Sequence, residues 1–221
     1  MIAQLFPESV HTVKAPAHAE PPPLLPQEQP CIRRAVEKRR REFAAGRACA
    51  RKALEYFGIF GCPLPVGPNR APIWPDDIVG SITHCEGFVG AAVARRGPIR
   101  GIGVDAERAD PLGPRLVELI CSPWERDWIH MDAPRDSTIW SKLFFSAKEA
   151  AYKCLSSFCE RPLGFHDLEI AVQPSEGRFA IRLSSDAPVA GVADRELEGR
   201  FTTSSLHVFT GVLWRAQPCL P

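Results

Sequence analysis

From Arg33 onward, apolar residues return at helical spacing, at Val36, Phe43, Ala50, Leu54 and Phe57, with arginines between them and no proline before Gly58. This spacing predicts an amphipathic helix over Arg33 to Tyr56 that stops near the glycine. Beyond a proline-rich stretch the pattern changes to short apolar runs bounded by Gly and Pro: Gly80 to His84, Phe88 to Ala94 and Ile99 to Val104. These predict three strands. Helical spacing then resumes in a short helix near Arg115 to Ile120, another around Trp124 to Met131 and a long one from Ser137 to Leu155. Strands follow near Leu168 to Val172, Phe179 to Leu183 and His207 to Trp214. The order predicts an α+β fold of two similar α/β subdomains, residues 33–108 and 109–221, joined near 108–114 and preceded by an N-terminal arm, 1–32. The likeness of the halves rests on element order alone.

Proline sharpens this division. It supplies 22 of 221 residues, about twice the ordinary share of roughly 5%, and the excess falls in two clusters. Pro16 to Pro30 can be neither helix nor central strand, so it reads as an extended arm lying on the body or loosely ordered. Pro63 to Pro75 reads as a loop long enough to carry function. Charge adds less: 27 basic against 26 acidic side chains leave no whole-molecule field for nucleic acid or an anionic membrane. No apolar run approaches the roughly 20 residues of a membrane span, and no basic and apolar leader opens the chain, so an unexported cytoplasmic protein is expected. Cysteines at 31, 49, 62, 85, 121, 154, 159 and 219 include no C-x-x-C pair. They read as buried thiols, not as a disulfide framework or a structural zinc site.

Three segments hold candidate chemistry. In Gly101-Ile102-Gly103-Val104-Asp105-Ala106-Glu107, strand period puts both carboxylates on one face. They are either a cation-binding pair suited to Mg²⁺ or two surface acids at a solvated strand end. In Phe145-Ser146-Ala147-Lys148-Glu149-Ala150-Ala151-Tyr152-Lys153, an apolar stripe of Trp140, Leu143, Phe144, Ala147, Ala151 and Cys154 lies beside a polar one of Lys142, Ser146, Glu149 and Lys153. Taken alone, Glu149 and Lys153 make an ordinary surface pair worth roughly 0.2 to 0.5 kcal/mol. In the first helix, Arg39, Arg47 and Arg51 fall near one face, where guanidinium forks suit phosphate. His84, in Gly80-Ser81-Ile82-Thr83-His84-Cys85, closes a strand and by itself reads as structural.

Together and in this order the segments resemble the 4'-phosphopantetheinyl transferases, in particular the surfactin-type, enterobactin-synthase-like branch. The family pattern is (I/V)-G-(I/V)-D followed by (F/W)-x-x-K-E-(A/S)-x-x-K. Ile102 to Asp105 and Phe145 to Lys153 meet it at every fixed position. The flanks Arg39-Arg40-x-Glu42-Phe43-x-x-Gly46-Arg47, Arg70 to Pro75 and Gly80 to Cys85 agree with the branch. The resemblance covers residues 33 to 172.

It implies two subdomains in a pseudo-two-fold arrangement and an enzyme that moves phosphopantetheine from coenzyme A to a serine of an acyl or peptidyl carrier protein, releasing 3',5'-ADP. Such a reaction depends on Mg²⁺. Carried over by position, Asp105, Glu107 and Glu149 hold the metal and Glu149 is also the base for the serine. Lys153 steadies the pyrophosphate. Arg39, Arg47 and Arg70 take the 3'-phosphate and adenine end, Thr83 and His84 the phosphates, and Lys148 either joins them or is structural. The expected partners are coenzyme A and carrier domains of fatty-acid, polyketide or siderophore-type peptide synthesis, and the expected state is a monomer. The stretch Ser122 to Arg135, with Trp124, Trp128, Ile129 and Met131, is the candidate docking surface. Two other readings remain open: a Mg²⁺-dependent phosphohydrolase or nucleotidyl transferase using the same acids, and a phosphate- or RNA-binding module on the arginine-rich helix.

Overall fold

The computed structural model of the chain describes residues 1–16, 20–67, 70–133, 139–190 and 196–216, apart from the Glu196 side chain. Cys219, the Ser137 start of the long helix and the Arg135 end of the docking stretch lie outside them. Within the described residues the chain is a mixed α/β structure with two sheets and four α-helices.

The three-stranded sheet has the order β1-β3-β2, with β1 His11–Ala15, β2 Ile78–Cys85 and β3 Phe88–Arg95, all antiparallel. Gly87, at φ 84, closes the two-residue turn from β2 into β3, a conformation side chains disfavour. Helix α1, Glu37–Glu55, lays Ala45, Cys49, Ala50, Ala53 and Leu54 on this sheet. It begins later than the periodicity predicts because Val36 is extended and residues 33–35 form a turn.

The five-stranded sheet runs β4-β8-β7-β6-β5, with β4 Ile99–Arg108, β5 Leu168–Gln173, β6 Arg178–Leu183, β7 Glu196–Thr203 and β8 His207–Arg215. Helices α2 Pro114–Ile120, α3 Pro123–Met131 and α4 Trp140–Leu155 accompany it, and α4 buries Leu143, Phe144, Ala147, Ala150 and Ala151 against it.

Two features depart from the sequence reading. Strand β4, which the pattern assigns to the first half, pairs with β8, Asp105 opposite Thr210. The segment 1–32 is only partly an arm: β1 joins the first sheet, and Ile2, Leu5, Phe6 and Val10 fill the apolar layer between the sheets with Phe88, Ile102, Val104 and Phe209.

The sheets meet at β2 and β4. Here side chains bridge what a backbone ladder would otherwise join: Val104 N–H donates to Ser81 Oγ at 3.1 Å and Ala106 N–H to Thr83 Oγ1 at 2.9 Å. On the other face of β4 the helix α4 comes unusually close. A methyl group at Gly103 would overlap the Ala150 carbonyl oxygen, and one at Gly101 the Cys154 carbonyl oxygen. The two glycines of the Gly-x-Gly-x-Asp segment are therefore the track on which α4 lies. Among the described residues no helix is long and apolar enough to cross a membrane, and the seven described cysteines are free thiols.

Candidate active site

Because α4 rests on β4, residues from the two signature segments meet. Asp105, 4% exposed, is held by three neighbours: Lys153 Nζ at 2.6 Å, Ser146 Oγ at 2.8 Å and Thr83 Oγ1 at 3.3 Å. Ser146 is fixed in turn by Thr210 of β8, whose hydroxyl donates to the Ser146 carbonyl at 2.9 Å. Lys153 also donates to the Val104 carbonyl at 3.2 Å. The acid expected to bind a cation thus has an ammonium beside it.

Glu149 and Lys153 open onto a cavity of about 810 Å³, within the usual range for a small-molecule site. Arg39, Arg47, Arg70 and His84 line it as well, together with Glu42, Trp74 and Tyr152. Its lining brings the guanidinium groups of α1 and the 64–74 loop together with the carboxylates of Glu42 and Glu149 and the Lys153 ammonium, while Asp105 and Glu107 of β4 are not among the lining residues. Arg47 lies over the Phe43 ring, 4.2 Å from its centroid, and donates from Nε to the Leu64 carbonyl at 2.6 Å. Burial lowers its pKa to about 10, so it remains a cation at neutral pH. Arg39 bonds His84 Nε2, which also lies 3.2 Å from Glu42 Oε2. Burial, then the Arg39 charge, push the His84 pKa below its ordinary value, so the ring is neutral at pH 7. Arg70 stands in the left-handed backbone region at φ 61, within a turn closed by Gly67 N–H to the Ala71 carbonyl at 2.8 Å.

Two expected cofactor ligands are not in this cavity. Thr83 is 1% exposed, and its hydroxyl is committed to Asp105 and to the Ala106 amide, so it braces the acid. Lys148 is 1% exposed and faces α3. Its ammonium is saturated by Glu125 Oε2 at 2.7 Å and by the carbonyls of Ile120 at 2.8 Å and Phe165 at 3.0 Å. It holds the helical layer together. The arginine face of α1 is not an open basic stripe of the kind an RNA-binding module presents: Arg47 is buried and Arg51 pairs with buried Glu28 at 2.7 Å. Sequence reasoning placed Ser146 on the polar stripe of α4 without giving it a role, and it passed over Thr210, a single hydroxyl with no spacing signature, and Tyr152, whose phenol pKa burial raises.

Glu107 and Glu149 share one electrostatic feature. Burial first, then the Asp105 charge, raise both pKa values above the ordinary 4.5, while Lys153 opposes the rise. Glu107 also lies 3.6 Å from Lys142. Among the described residues no three His, Cys, Asp or Glu side chains converge as a ready-made ion site. In donor chemistry, however, Asp105, Glu107 and Glu149 supply the hard oxygens a divalent cation takes, and such a cation would offset the Asp105 charge felt by Glu107 and Glu149.

Burial of Glu149 beside the Asp105 charge has a measurable cost in the free protein. A carboxyl whose pKa rises on folding binds more protons in the folded state, so stability falls as pH rises from 4.5 through the folded pKa. Glu149→Gln removes that penalty. The variant is expected to melt higher than wild type at pH 7 in the absence of metal, and the gap should close by pH 4.5. Thermal melts across that range would check it, and equal melting at pH 7 would refute the electrostatic picture.

Residues 27–94 match the family model of the 4'-phosphopantetheinyl transferase N-terminal domain, and residues 101–202 that of the 4'-phosphopantetheinyl transferase superfamily. The chain is 42% identical over 217 residues to the 4'-phosphopantetheinyl transferase Svp of Streptomyces mobaraensis, covering 96% of this chain and 88% of that protein. It is 37% identical over 225 residues to the 4'-phosphopantetheinyl transferase PptT of Mycobacterium tuberculosis, covering 96% and 97%. Enterobactin synthase component D of Escherichia coli K12 is 34% identical over 139 residues, 63% of this chain and 65% of that protein. Similarity at this level through both parts of the chain makes it a member of the 4'-phosphopantetheinyl transferase superfamily.

Proposed function

We propose that the cavity binds coenzyme A and that the chain transfers its 4'-phosphopantetheine to a serine of an acyl or peptidyl carrier protein, releasing 3',5'-ADP. The observation that carries this reading is the make-up of one cavity wall, where Arg39, Arg47, Arg70 and His84 stand with Lys153 and with Glu149, a carboxylate of raised pKa. Arg39, Arg47, Arg70 and His84 take the phosphates and adenine end of coenzyme A, since forked donors suit phosphate oxygens. Glu149 takes the serine proton, directly or through water. A carboxylate drawn towards neutral pH is a better base than an ordinary one. Lys153, fixed by Asp105 on the cavity wall, stands where it can steady the pyrophosphate. Asp105, Glu107 and Glu149 would hold Mg²⁺, which would neutralise charge on the pyrophosphate and the departing ADP.

Carrier docking is assigned to the α2–α3 face. Trp124 and Met131 are exposed there, 46% and 81%, alongside Leu116 and Leu119, whereas Trp128 and Ile129 pack into the core. The two parts of the chain are read as a pseudo-two-fold pair that acts as a monomer in the cytoplasm.

The decisive experiment is mass spectrometry of an apo carrier protein incubated with this protein, coenzyme A and Mg²⁺. A gain of about 340 Da, the size of the phosphopantetheinyl group, is expected, because the transferred chemistry belongs to the cofactor. Glu149→Gln and EDTA should each abolish it. No gain on fatty-acid, polyketide and peptide-synthesis carriers would defeat the reading.

A further inference from the structure

We propose that Glu28, in the proline-rich segment before α1, is a positioning residue for the coenzyme A pocket, acting on Arg47 through the backbone of Leu64. The proposal rests on the reading of the cavity given above. Glu28 is fully buried, although the segment around it holds no strand ladder and only the single 3-10 turn Gln29–Ile32 that follows it. Its carboxylate supplies the missing anchor. Arg51 Nη1 of α1 donates to both oxygens at 2.7 Å, and the backbone amides of Leu25 and Leu64 donate to it at 3.0 Å each.

Three separate pieces of chain, the arm, α1 and the loop that follows it, are therefore pinned to one side chain. Leu64, itself fully buried, gives its amide to Glu28 and its carbonyl to Arg47 Nε at 2.6 Å. The route from Glu28 to a pocket guanidinium runs through one residue. The arm emerges beyond it as cavity wall, since Cys31 and Ile32 line the same pocket as Arg47. Electrostatics agree with the geometry: burial depresses the Arg47 pKa, and the Glu28 charge is the foremost influence opposing that fall. None of these groups touches Asp105, Glu149 or Lys153, so the effect of Glu28 belongs to cofactor binding and not to proton transfer.

A neutral amide at this position keeps the shape but loses the charge-assisted bonds that set the loop. Coenzyme A binding, measured by calorimetry without carrier protein, is expected to weaken about tenfold in Glu28→Gln, a difference of about 1.4 kcal/mol. The KM for coenzyme A should rise with it, while kcat and the KM for carrier protein stay within about twofold, the pattern of lost uniform binding. Groups acting as one unit are not additive, so Glu28→Gln combined with Arg47→Ala should bind coenzyme A no more weakly than Arg47→Ala alone. A merely structural glutamate would not give that result. If Glu28→Gln does not fold, Glu28→Asp, which keeps the charge and shortens its reach, is read by the same cycle. Additive losses in the double variant, or unchanged coenzyme A affinity in the single one, would overturn the role. Failure of the wild-type protein to bind coenzyme A would overturn the pocket assignment itself, and the role with it.

Discussion

Gly103→Ala should cripple the protein through a single methyl group. The new Cβ would overlap the Ala150 carbonyl oxygen and come within 2.7 Å of its carbon and 2.9 Å of the Cys154 amide nitrogen. All three are backbone atoms of α4, so no rotamer change relieves the clash and the helix itself must move. Overpacking of this kind costs about 1 to 3 kcal/mol. The larger effect falls on rate, because Ser146, Glu149 and Lys153 travel with the helix while Asp105 stays on the strand. A displacement of about 1 Å between reacting groups costs on the order of 100-fold. Urea unfolding and carrier-modification rates at saturating coenzyme A would measure both effects. Adding Ala150→Gly should restore neither, since it removes a methyl and leaves the carbonyl in place. A Gly103→Ala protein with wild-type rate would show that α4 can slide freely on β4.

Lys148→Met tests the other lysine of the signature segment on the same helix and should act on stability alone. Lys148 and Glu125 are both fully buried at the side chain. Removing the lysine leaves Glu125 as an uncompensated interior charge, a change that typically costs about 3 to 5 kcal/mol. For a chain of this size that corresponds to a fall in Tm of very roughly 6 to 20 °C. Glu125 has other duties: it accepts the Ile170 amide at 2.8 Å and, with Ser122, closes the capping box of α3. The double change Lys148→Met with Glu125→Leu should consequently recover only part of the loss, because it orphans those amides. At a temperature where the single variant is folded, its coenzyme A affinity should match wild type. Weakened affinity there would return Lys148 to the cofactor site.

How far the sequence carried these conclusions depends on whether a feature is local. Helix α1, helices α2 to α4 and six of the strands announced themselves by period and by flanking Gly and Pro. β1 did not, being five residues beside a proline, nor did β7, whose Glu196-Leu197-Glu198-Gly199-Arg200 lacks an apolar run and carries a glycine against the Phe179 ring. The pairing of β4 with β8 was illegible for a different reason: strand register is set by contacts distant in sequence. The motif acids and arginines were readable as chemistry, but the bracing of Asp105 by the Thr83 and Ser146 hydroxyls, and of Ser146 by Thr210, was not. Lys148 entered the candidate site only as a fixed position of the family pattern, with a structural role left open. Helical geometry turns adjacent residues about 100° apart, and Lys148 lies one turn beyond Phe144 on the apolar stripe. That signal was available.

The seam between the sheets bears on how long the molecule survives. Where a backbone ladder would unzip only with the loss of many bonds at once, β2 and β4 are stitched through side-chain hydroxyls. The cavity spans this seam, with α1, the 64–74 loop and β2 on one side and α4 on the other. A ligand that fills it is consequently a clasp across that join, and ligand at 100 times its Kd adds about 2.7 kcal/mol to folding. Protease resistance should therefore track occupancy, making substrate supply a determinant of the protein's lifetime as well as of its turnover.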